Sequence, residues 1–525
     1  MNTAAFLAKQ ARARGSAPAL SFGDQHQTYT ELHERVLAIA GNLLGLGLRK
    51  GDRVAFVLAN GPECVEVLYG CFAAGLVVVP VNARLHPKEM AYIVENSGAR
   101  VLVHGVEYDE GIKANLAHFG PQLSERVCLG ADGGTMPYSA LLDAGSALER
   151  HLDLEPEDLS WLFYTSGTTG RPKGATWNHR TIRTLAMNHL ADVHNIAVGE
   201  VVLHVAPMSH GGGIVGLPAM ARGAHQVIAT SASFNPEQLF ADVERLRVGH
   251  IAFMAPTMII KMLQDFVPNK YDLSSLQAIT YGGAPMHVTD LKAAVAAFGP
   301  IFAQIFGQGE APMTISGLPA AEHAELIARG DRRIGSAGRI RTDVECRIVD
   351  ADDNEVGPGV EGEVCARGDV VMVGYWNNPE ATAETLRGGW LHTGDIGMID
   401  EDGYLFILDR TKDMIISGGN NVYPREVEEV IVTHPAVSAV CVLGIPDEYW
   451  GEAVHAVVVL EPGASLGERE LIEFCAESLA GYKKPKAVDF VDELPVSAYG
   501  KVERRTLREQ YWAGHETRIG GGAAR

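Results

Sequence analysis

Between Trp161 and Gly174 an apolar run gives way to Tyr164-Thr165-Ser166-Gly167-Thr168-Thr169-Gly170-Arg171-Pro172-Lys173-Gly174. These residue types suit the handling of phosphate. Glycine lets backbone N–H groups close on an anion, the hydroxyls of Ser166, Thr168 and Thr169 donate further hydrogen bonds, and Lys173 supplies charge. A solvated Ser/Thr/Gly connector is the plain alternative for such a loop. The ordinary P-loop pattern is not matched, because the glycine spacing before the lysine differs from it.

Five further segments follow in order: Gly282-Gly283-Ala284-Pro285, Phe306-Gly307-Gln308-Gly309-Glu310, Trp390-Leu391-His392-Thr393-Gly394-Asp395, Asp409-Arg410-Thr411-Lys412-Asp413 and Pro495-Val496-Ser497-Ala498-Tyr499-Gly500-Lys501. Each has a bland reading when taken alone. Glu310 is then a solvated carboxylate, Lys501 a surface lysine on a glycine turn, Phe306 a core residue and His210 a structural histidine. Taken together with residues 164–174, they resemble the signature segments of the adenylate-forming superfamily of acyl-CoA synthetases, firefly-type luciferases and adenylation domains. The resemblance runs from about Tyr29 to Leu507.

That resemblance implies an acid–thiol ligase. A carboxylic acid, medium- or long-chain fatty or aromatic, is activated by ATP as an acyl-adenylate and then transferred to coenzyme A. Two anions must meet at phosphorus, so catalysis is mostly positioning and charge neutralisation. By the same resemblance Lys501 reaches the attacking carboxylate and the α-phosphate, while Glu310 holds Mg²⁺ with Thr165 as a further oxygen. Ser166, Gly167, Thr168, Thr169, Gly170 and Lys173 are implied to cradle the phosphates. Gly283, Ala284 and Pro285 form one wall of the adenine slot and Phe306 stacks on the base, with Gly307, Gln308 and Ile407 along the nucleotide. Asp395 takes the ribose hydroxyls, and Arg410 also reaches the ribose.

For the second step the resemblance implies a rotating C-terminal domain that pivots at Lys412. Ser417, Gly418 and Gly419 then line the pantetheine tunnel, and His210 stands where the acyl pocket meets it. Relatives commonly carry Thr or Ser where this chain has Gly309, so a hydroxyl contact is expected to pass to Thr165 or to a water. Gly211, Gly212 and Gly213 replace bulkier residues, which predicts an acyl pocket widened on that side. Transfer to the phosphopantetheine of a carrier protein shares all these motifs and is the runner-up. A catalytically weak nucleotide- and acyl-binding protein is the reading from another class, and the retained Lys501, Glu310 and Lys173 speak against it.

The elements that must position these residues follow from periodicity. Leu32, Val36, Ile39 and Leu43 share a helix face, residues 54–58 read as a buried strand, a helix follows from Pro62, and residues 77–80 read as the next strand. Asn235-Pro236 reads as a cap and first helical residue before a strand at 251–254. Short strands at 345–349, 361–366 and 404–407 indicate a β-rich subdomain. The predicted fold is α/β: a large N-terminal domain of two α/β layers plus that subdomain (1–408), a hinge (409–412), a small α+β C-terminal domain (413–512) and a flexible tail (513–525).

Composition bounds the rest. With 44 Lys+Arg against 65 Asp+Glu the formal charge is -21, which argues against a nucleic-acid surface. Seven scattered cysteines show no metal or redox spacing and fit buried thiols in a reducing cytoplasm. Residues 1–20 read as a surface helix, and no uncharged apolar run reaches the length of a membrane span. The partners implied are a small carboxylic acid, ATP and CoA, and a homodimer is compatible with them.

Overall fold

The computed structural model describes residues 2–130, 136–165, 171–231, 233–284, 286–410, 413–417, 420–447, 450–496 and 502–513. Two large sheets carry the N-terminal domain, one of eight strands and one of nine, with a four-stranded sheet beside them. Both large sheets are parallel through their middles. In the first, Arg53–Val57 pairs in parallel with Val77–Pro80 and Val101–Gly105. In the second, Val201–His204, His250–Met254, Ala278–Gly282 and Phe302–Gln308 run parallel in succession.

Local sequence accounts for the helices between these strands. Thr28 and Glu31 form a capping box at the start of the helix Tyr29–Gly45. Asn235 caps Pro236–Leu246 by accepting from the Gln238 N–H, as its position before proline predicts. The strand Val77–Pro80 is buried at every residue, as a parallel strand covered on both faces must be.

The N-terminal segment departs from the surface helix expected. Ala5–Arg14 is helical, but Ala4, Phe6 and Leu7 are buried and Asn2 Nδ2 donates to the carbonyls of Phe72 at 2.6 Å and Leu152 at 3.0 Å. Its alanines and short polar residues carry little periodicity, so packing against the rest of the domain decides its place. The seven cysteines are free, and six are buried.

The change of domain is visible in strand partners. Leu405–Arg410 pairs with Leu391–Ile399 in the four-stranded sheet, whereas the next strand, Ile415–Ser417, belongs to the C-terminal sheet with Asn420–Val422 and Gly451–Leu460. The helices Pro424–Ile431, Glu468–Ala476 and Arg504–Tyr511 complete this small domain. Arg504 joins the two sides, with ion pairs to Asp409 at 3.5 Å, Asp413 at 3.8 Å and Glu428 at 2.6 Å. His287 and Glu429 add a contact at 3.4 Å.

Candidate active site

Each large sheet ends its parallel run in an antiparallel hairpin, and the two hairpins build the site. Leu159–Thr165 turns back as Lys173–Asn178 with Thr165 opposite Lys173. The phosphate-type loop is therefore closed at its base by those two residues. Phe302–Gln308 turns back as Ala311–Leu318 with Gln308 opposite Ala311, leaving Gly309 and Glu310 as a two-residue turn.

The hairpins meet at Glu310, which is buried. Its Oε1 accepts from the Tyr375 hydroxyl at 2.5 Å and from Thr165 Oγ1 at 3.5 Å. Tyr375 also lies under Lys173, whose Nζ is 5.1 Å from the ring centroid. Glu310 and Thr165 thus present a carboxylate and a hydroxyl together. Hard oxygen donors of this kind fit Mg²⁺, which keeps part of its water shell and takes one or two protein carboxylates.

Gly309 has a steric explanation. Its φ is not in the left-handed region, so conformation does not require glycine. Space does: a Cβ there would stand 2.2 Å from Thr165 Cγ2 and 3.0 Å from Phe163 Cδ1. The Thr165 side chain already fills the room a Thr or Ser at 309 would need. The Gly309 carbonyl accepts from Trp177 Nε1 at 2.8 Å, which fixes the turn from behind.

An aromatic stack continues from this point. Phe163 stacks on Trp177 with centroids 4.8 Å apart and on His210 with centroids 4.6 Å apart. His210 is thereby oriented at the start of the helix Gly211–Arg222. The three glycines that follow are required by close contacts, and Gly213 lines a cavity together with Leu68, Trp161 and Met208. A Cβ at Gly212 would sit 2.6 Å from the Ala206 carbonyl oxygen, at Gly213 2.0 Å from that of Met208, and at Gly211 2.8 Å from Phe253. The helix folds back tightly on its own approach loop, and side chains there would collide with backbone.

The ribose and adenine candidates lie along the same edge. Gln308 Nε2 donates to the Thr393 carbonyl at 3.3 Å, which ties the Glu310 hairpin to the segment ending at Asp395. Asp395 is buried and in register with Arg410. Gly283 takes a φ of 77°, a conformation that favours glycine, beside Ala284. Phe306 is half-buried. A Cβ at Gly307 would fall 2.6 Å from the Ala311 carbonyl oxygen, so that glycine serves a bulge in the hairpin. The Ile407 carbonyl accepts from Arg425 at 3.0 Å, and Ser417 is buried in the C-terminal sheet between Asn420 and Gly451. Ser166, Gly167, Thr168, Thr169, Gly170, Pro285, Lys412, Gly418, Gly419, Lys501 and the side chain of Arg410 lie outside the described residues.

Tyr375 was not singled out from sequence. It belongs to a two-residue strand, Gly374–Tyr375, which pairs with Ala175 and Thr176 of the Lys173–Asn178 strand. A glycine and two aromatics ahead of Asn377-Asn378-Pro379 were the available signal.

Comparison with known proteins agrees with this geometry. The AMP-binding enzyme family matches residues 7–376, and the AMP-binding enzyme C-terminal domain matches 426–501. A feruloyl-CoA synthase of Amycolatopsis sp. is 38% identical over 505 residues, covering 96% of this chain and 98% of the relative. The fatty acid–[acyl-carrier-protein] ligase ScoC of Streptomyces coeruleorubidus is 36% identical and covers 95% and 94%. The solved amide bond synthetase McbA of Marinactinospora thermotolerans superposes with a TM-score of 0.87 at 29% identity, covering 97% of this chain and 99% of that one.

Proposed function

The chain belongs to the AMP-binding enzyme family of adenylate-forming ligases, and from that premise we propose that it joins a carboxylic acid to coenzyme A through an acyl-adenylate. The carboxylate oxygen attacks the α-phosphorus of ATP and pyrophosphate leaves. The thiol of CoA then attacks the acyl carbon of the mixed anhydride; AMP leaves and the thiol proton is released. The observation that carries this reading is the meeting of Thr165, Lys173, Glu310 and Tyr375 where the two hairpins converge.

Lys173 neutralises phosphate charge, with Tyr375 holding its ammonium by the ring face. Glu310 and Thr165 would hold Mg²⁺, which when bound offsets the charge of the phosphates. Lys501 supplies the second cation, between the attacking carboxylate and the α-phosphate. The hinge at 409–412, with Lys412 as pivot, turns the C-terminal domain between the two steps. The switch of strand partners between Arg410 and Ile415 supports that position.

The acid is an apolar monocarboxylic acid, fatty or aromatic. Residues 208–216, 254–258 and 311–313, which lie beside the site, contain no Lys or Arg to meet a second carboxylate. Free CoA is the acceptor, and the reducing cytoplasm suits the seven thiols.

The test uses the purified full chain with Mg²⁺, ATP and acids from acetate to long-chain and aryl. ATP–pyrophosphate exchange and acyl-CoA formation are measured with and without CoA. Exchange with at least one acid, followed by thioester formation on free CoA, is expected. Exchange without thioester formation on CoA, but with loading of a holo carrier protein, would overturn the acceptor. No exchange with any acid would overturn the reaction. Lys501→Ala is expected to abolish exchange and to spare thioesterification of supplied acyl-adenylate; equal loss of both refutes the division of labour.

A further inference from the structure

A second cluster of chemistry-bearing side chains lies at the other end of the nine-stranded sheet. Glu200 immediately precedes the strand Val201–His204 and His250 opens the strand His250–Met254. The strands deliver His204 and Met254 toward the catalytic edge. Met254 is four residue steps along the strand from His250, about 13 Å of rise, so the cluster does not touch the adenylation site.

His194 comes from the connector that follows the helix His179–Asp192. One ligand atom from each of His194, Glu200 and His250 lies within 4.8 Å of the others. We propose that these three residues bind a divalent cation of the zinc class, with water completing a four-coordinate shell. Two imidazole nitrogens and one carboxylate oxygen suit Zn²⁺, Co²⁺ or Ni²⁺, whereas Mg²⁺ prefers an all-oxygen shell.

Three observations support an ion in this place. His250 is fully buried, its Nε2 is engaged with Thr280 Oγ1 at 2.9 Å, and its Nδ1 has no partner. With Nε2 donating to Thr280, Nδ1 would carry a lone pair in a buried place, and a buried polar atom of this kind calls for a partner. His189, also buried, stacks on His250 with centroids 5.7 Å apart, and neither of its ring nitrogens has a partner. Gly249 opens the room for the carboxylate, since a Cβ there would stand 2.8 Å from Glu200 Cγ and 2.9 Å from its Oε1.

The geometry of the other two ligands is close to that of a bound site. His194 Nε2 and Glu200 Oε1 are 2.8 Å apart, against about 3.3 Å between neighbouring ligands of a tetrahedral zinc. Opening by half an ångström admits the ion, while Glu200 Oε2 keeps its cap on the Ala197 N–H at 2.7 Å. His194 and Glu200 retain 16% and 8% side-chain exposure, which gives an entry path. Burial pushes His250 well below the ordinary imidazole value and leaves it uncharged. On the far side of His189 stands the Arg341 guanidinium, which donates to the Asp192 carbonyl at 2.8 Å. The ion would pin the 193–200 connector to the sheet.

Glu363, Cys365 and His392 form the competing cluster among the described residues. There the carboxylate already pairs with Arg387 at 3.0 Å and with His392 at 2.9 Å, so its charge is spoken for.

The test is Co²⁺ titration of chelator-treated full-length protein in excess Mg²⁺, read by visible d–d absorption and calorimetry, with Zn²⁺ as competitor. One equivalent of Co²⁺ displaced by Zn²⁺ is expected, together with a rise in melting temperature on Zn²⁺ addition. His194→Ala and Glu200→Gln, the latter able to keep the Ala197 cap, each weaken binding at least about a hundredfold. Cys365→Ser leaves it unchanged. Circular dichroism of the metal-free variants checks folding. Sub-stoichiometric or no binding by the wild type, binding unaltered in His194→Ala, or binding lost in Cys365→Ser would each overturn the assignment.

Discussion

Gly309→Ala adds one carbon in a place the structure shows to be full. The new Cβ would lie 2.2 Å from Thr165 Cγ2, against about 3.5–4.0 Å for comfortable carbon contact. The turn cannot retreat, because the Gly309 carbonyl is held by Trp177 Nε1. Phe163, the next atom in the way at 3.0 Å, is clamped between Trp177 and His210. Thr165 must therefore yield, and with it the hydroxyl that reaches Glu310. Overpacking of one methyl costs about 1–3 kcal/mol. If all of it falls on the adenylation transition state, exchange slows about 5- to 150-fold.

Thr165→Ser is the matched partner. It removes the colliding Cγ2 and keeps the hydroxyl. The decisive measurement is a four-protein cycle of wild type, Gly309→Ala, Thr165→Ser and the double variant, read by ATP–pyrophosphate exchange and by thermal unfolding. The double variant is expected to recover most of the loss, with a favourable coupling of at least about 1 kcal/mol. Recovery stays partial because Phe163 remains at 3.0 Å. Simple additivity of the two single changes, or a Gly309→Ala enzyme as fast as wild type, refutes the claim that Thr165 occupies the space of the missing side chain.

Tyr375→Phe keeps the ring under Lys173 and deletes the hydroxyl bound to Glu310; a hydrogen bond to a charged group contributes about 1.5–3 kcal/mol, so exchange falls about 10- to 150-fold while thioesterification of supplied acyl-adenylate is little changed. His287 is pushed down by burial, but its ion pair with Glu429 outweighs this and raises it above 6.5, with Glu428 and Asp290 adding to the rise and Arg425 beside Glu429. The pair thus contributes fully below the ordinary imidazole value and is lost as pH climbs through the raised one, so protease cleavage near 410–415 should accelerate as pH rises above the ordinary imidazole value and become pH-flat in His287→Gln. Arg504→Met removes one cation shared by Asp409, Asp413 and Glu428, while Arg508 stays paired with Asp413 at 3.3 Å. With 22% of the Arg504 side chain exposed, the cost is at the lower end for such pairs, about 3 kcal/mol, seen as an earlier unfolding step of the C-terminal domain.

What could be read without coordinates was the part written in short range. Asn235 before Pro236, the helix face from Leu32 to Leu43 and the all-apolar strand at 77–80 are local patterns, and each element stands where the pattern predicts. The motif segments around Thr165, Glu310 and Asp395 were legible for a different reason: together and in order they resemble the signature segments of the family. Tyr375 was hidden because its partner Glu310 is 65 residues away and its strand is two residues long, too short for any period. Glycine is hard to read in sequence where its cause is a neighbour. At Gly211, Gly212 and Gly213 the sequence shows missing side chains; backbone oxygens and Phe253 stand where their Cβ atoms would be, and Gly213 lines a cavity beside Met208. At Gly309 the sequence shows a lost hydroxyl, while the side chain of Thr165 stands in its place.

The two catalytic hairpins also account for how one scaffold can serve different acceptors. Thr165 with Lys173 and Gly309 with Glu310 sit at antiparallel hairpins that end the parallel runs of the two large sheets, where strand register fixes their separation. A carboxylate and an α-phosphate need this rigidity, because repulsion between anions is overcome by charges that are already in place. Residues beyond the strand switch at 410–415 meet the large domain through ion pairs such as His287–Glu429 and Arg504–Asp409. A feruloyl-CoA synthase, a carrier-protein ligase and an amide bond synthetase resemble this chain along nearly their whole lengths. What they share with this chain is the fold of the AMP-binding enzyme family and nearly its full length.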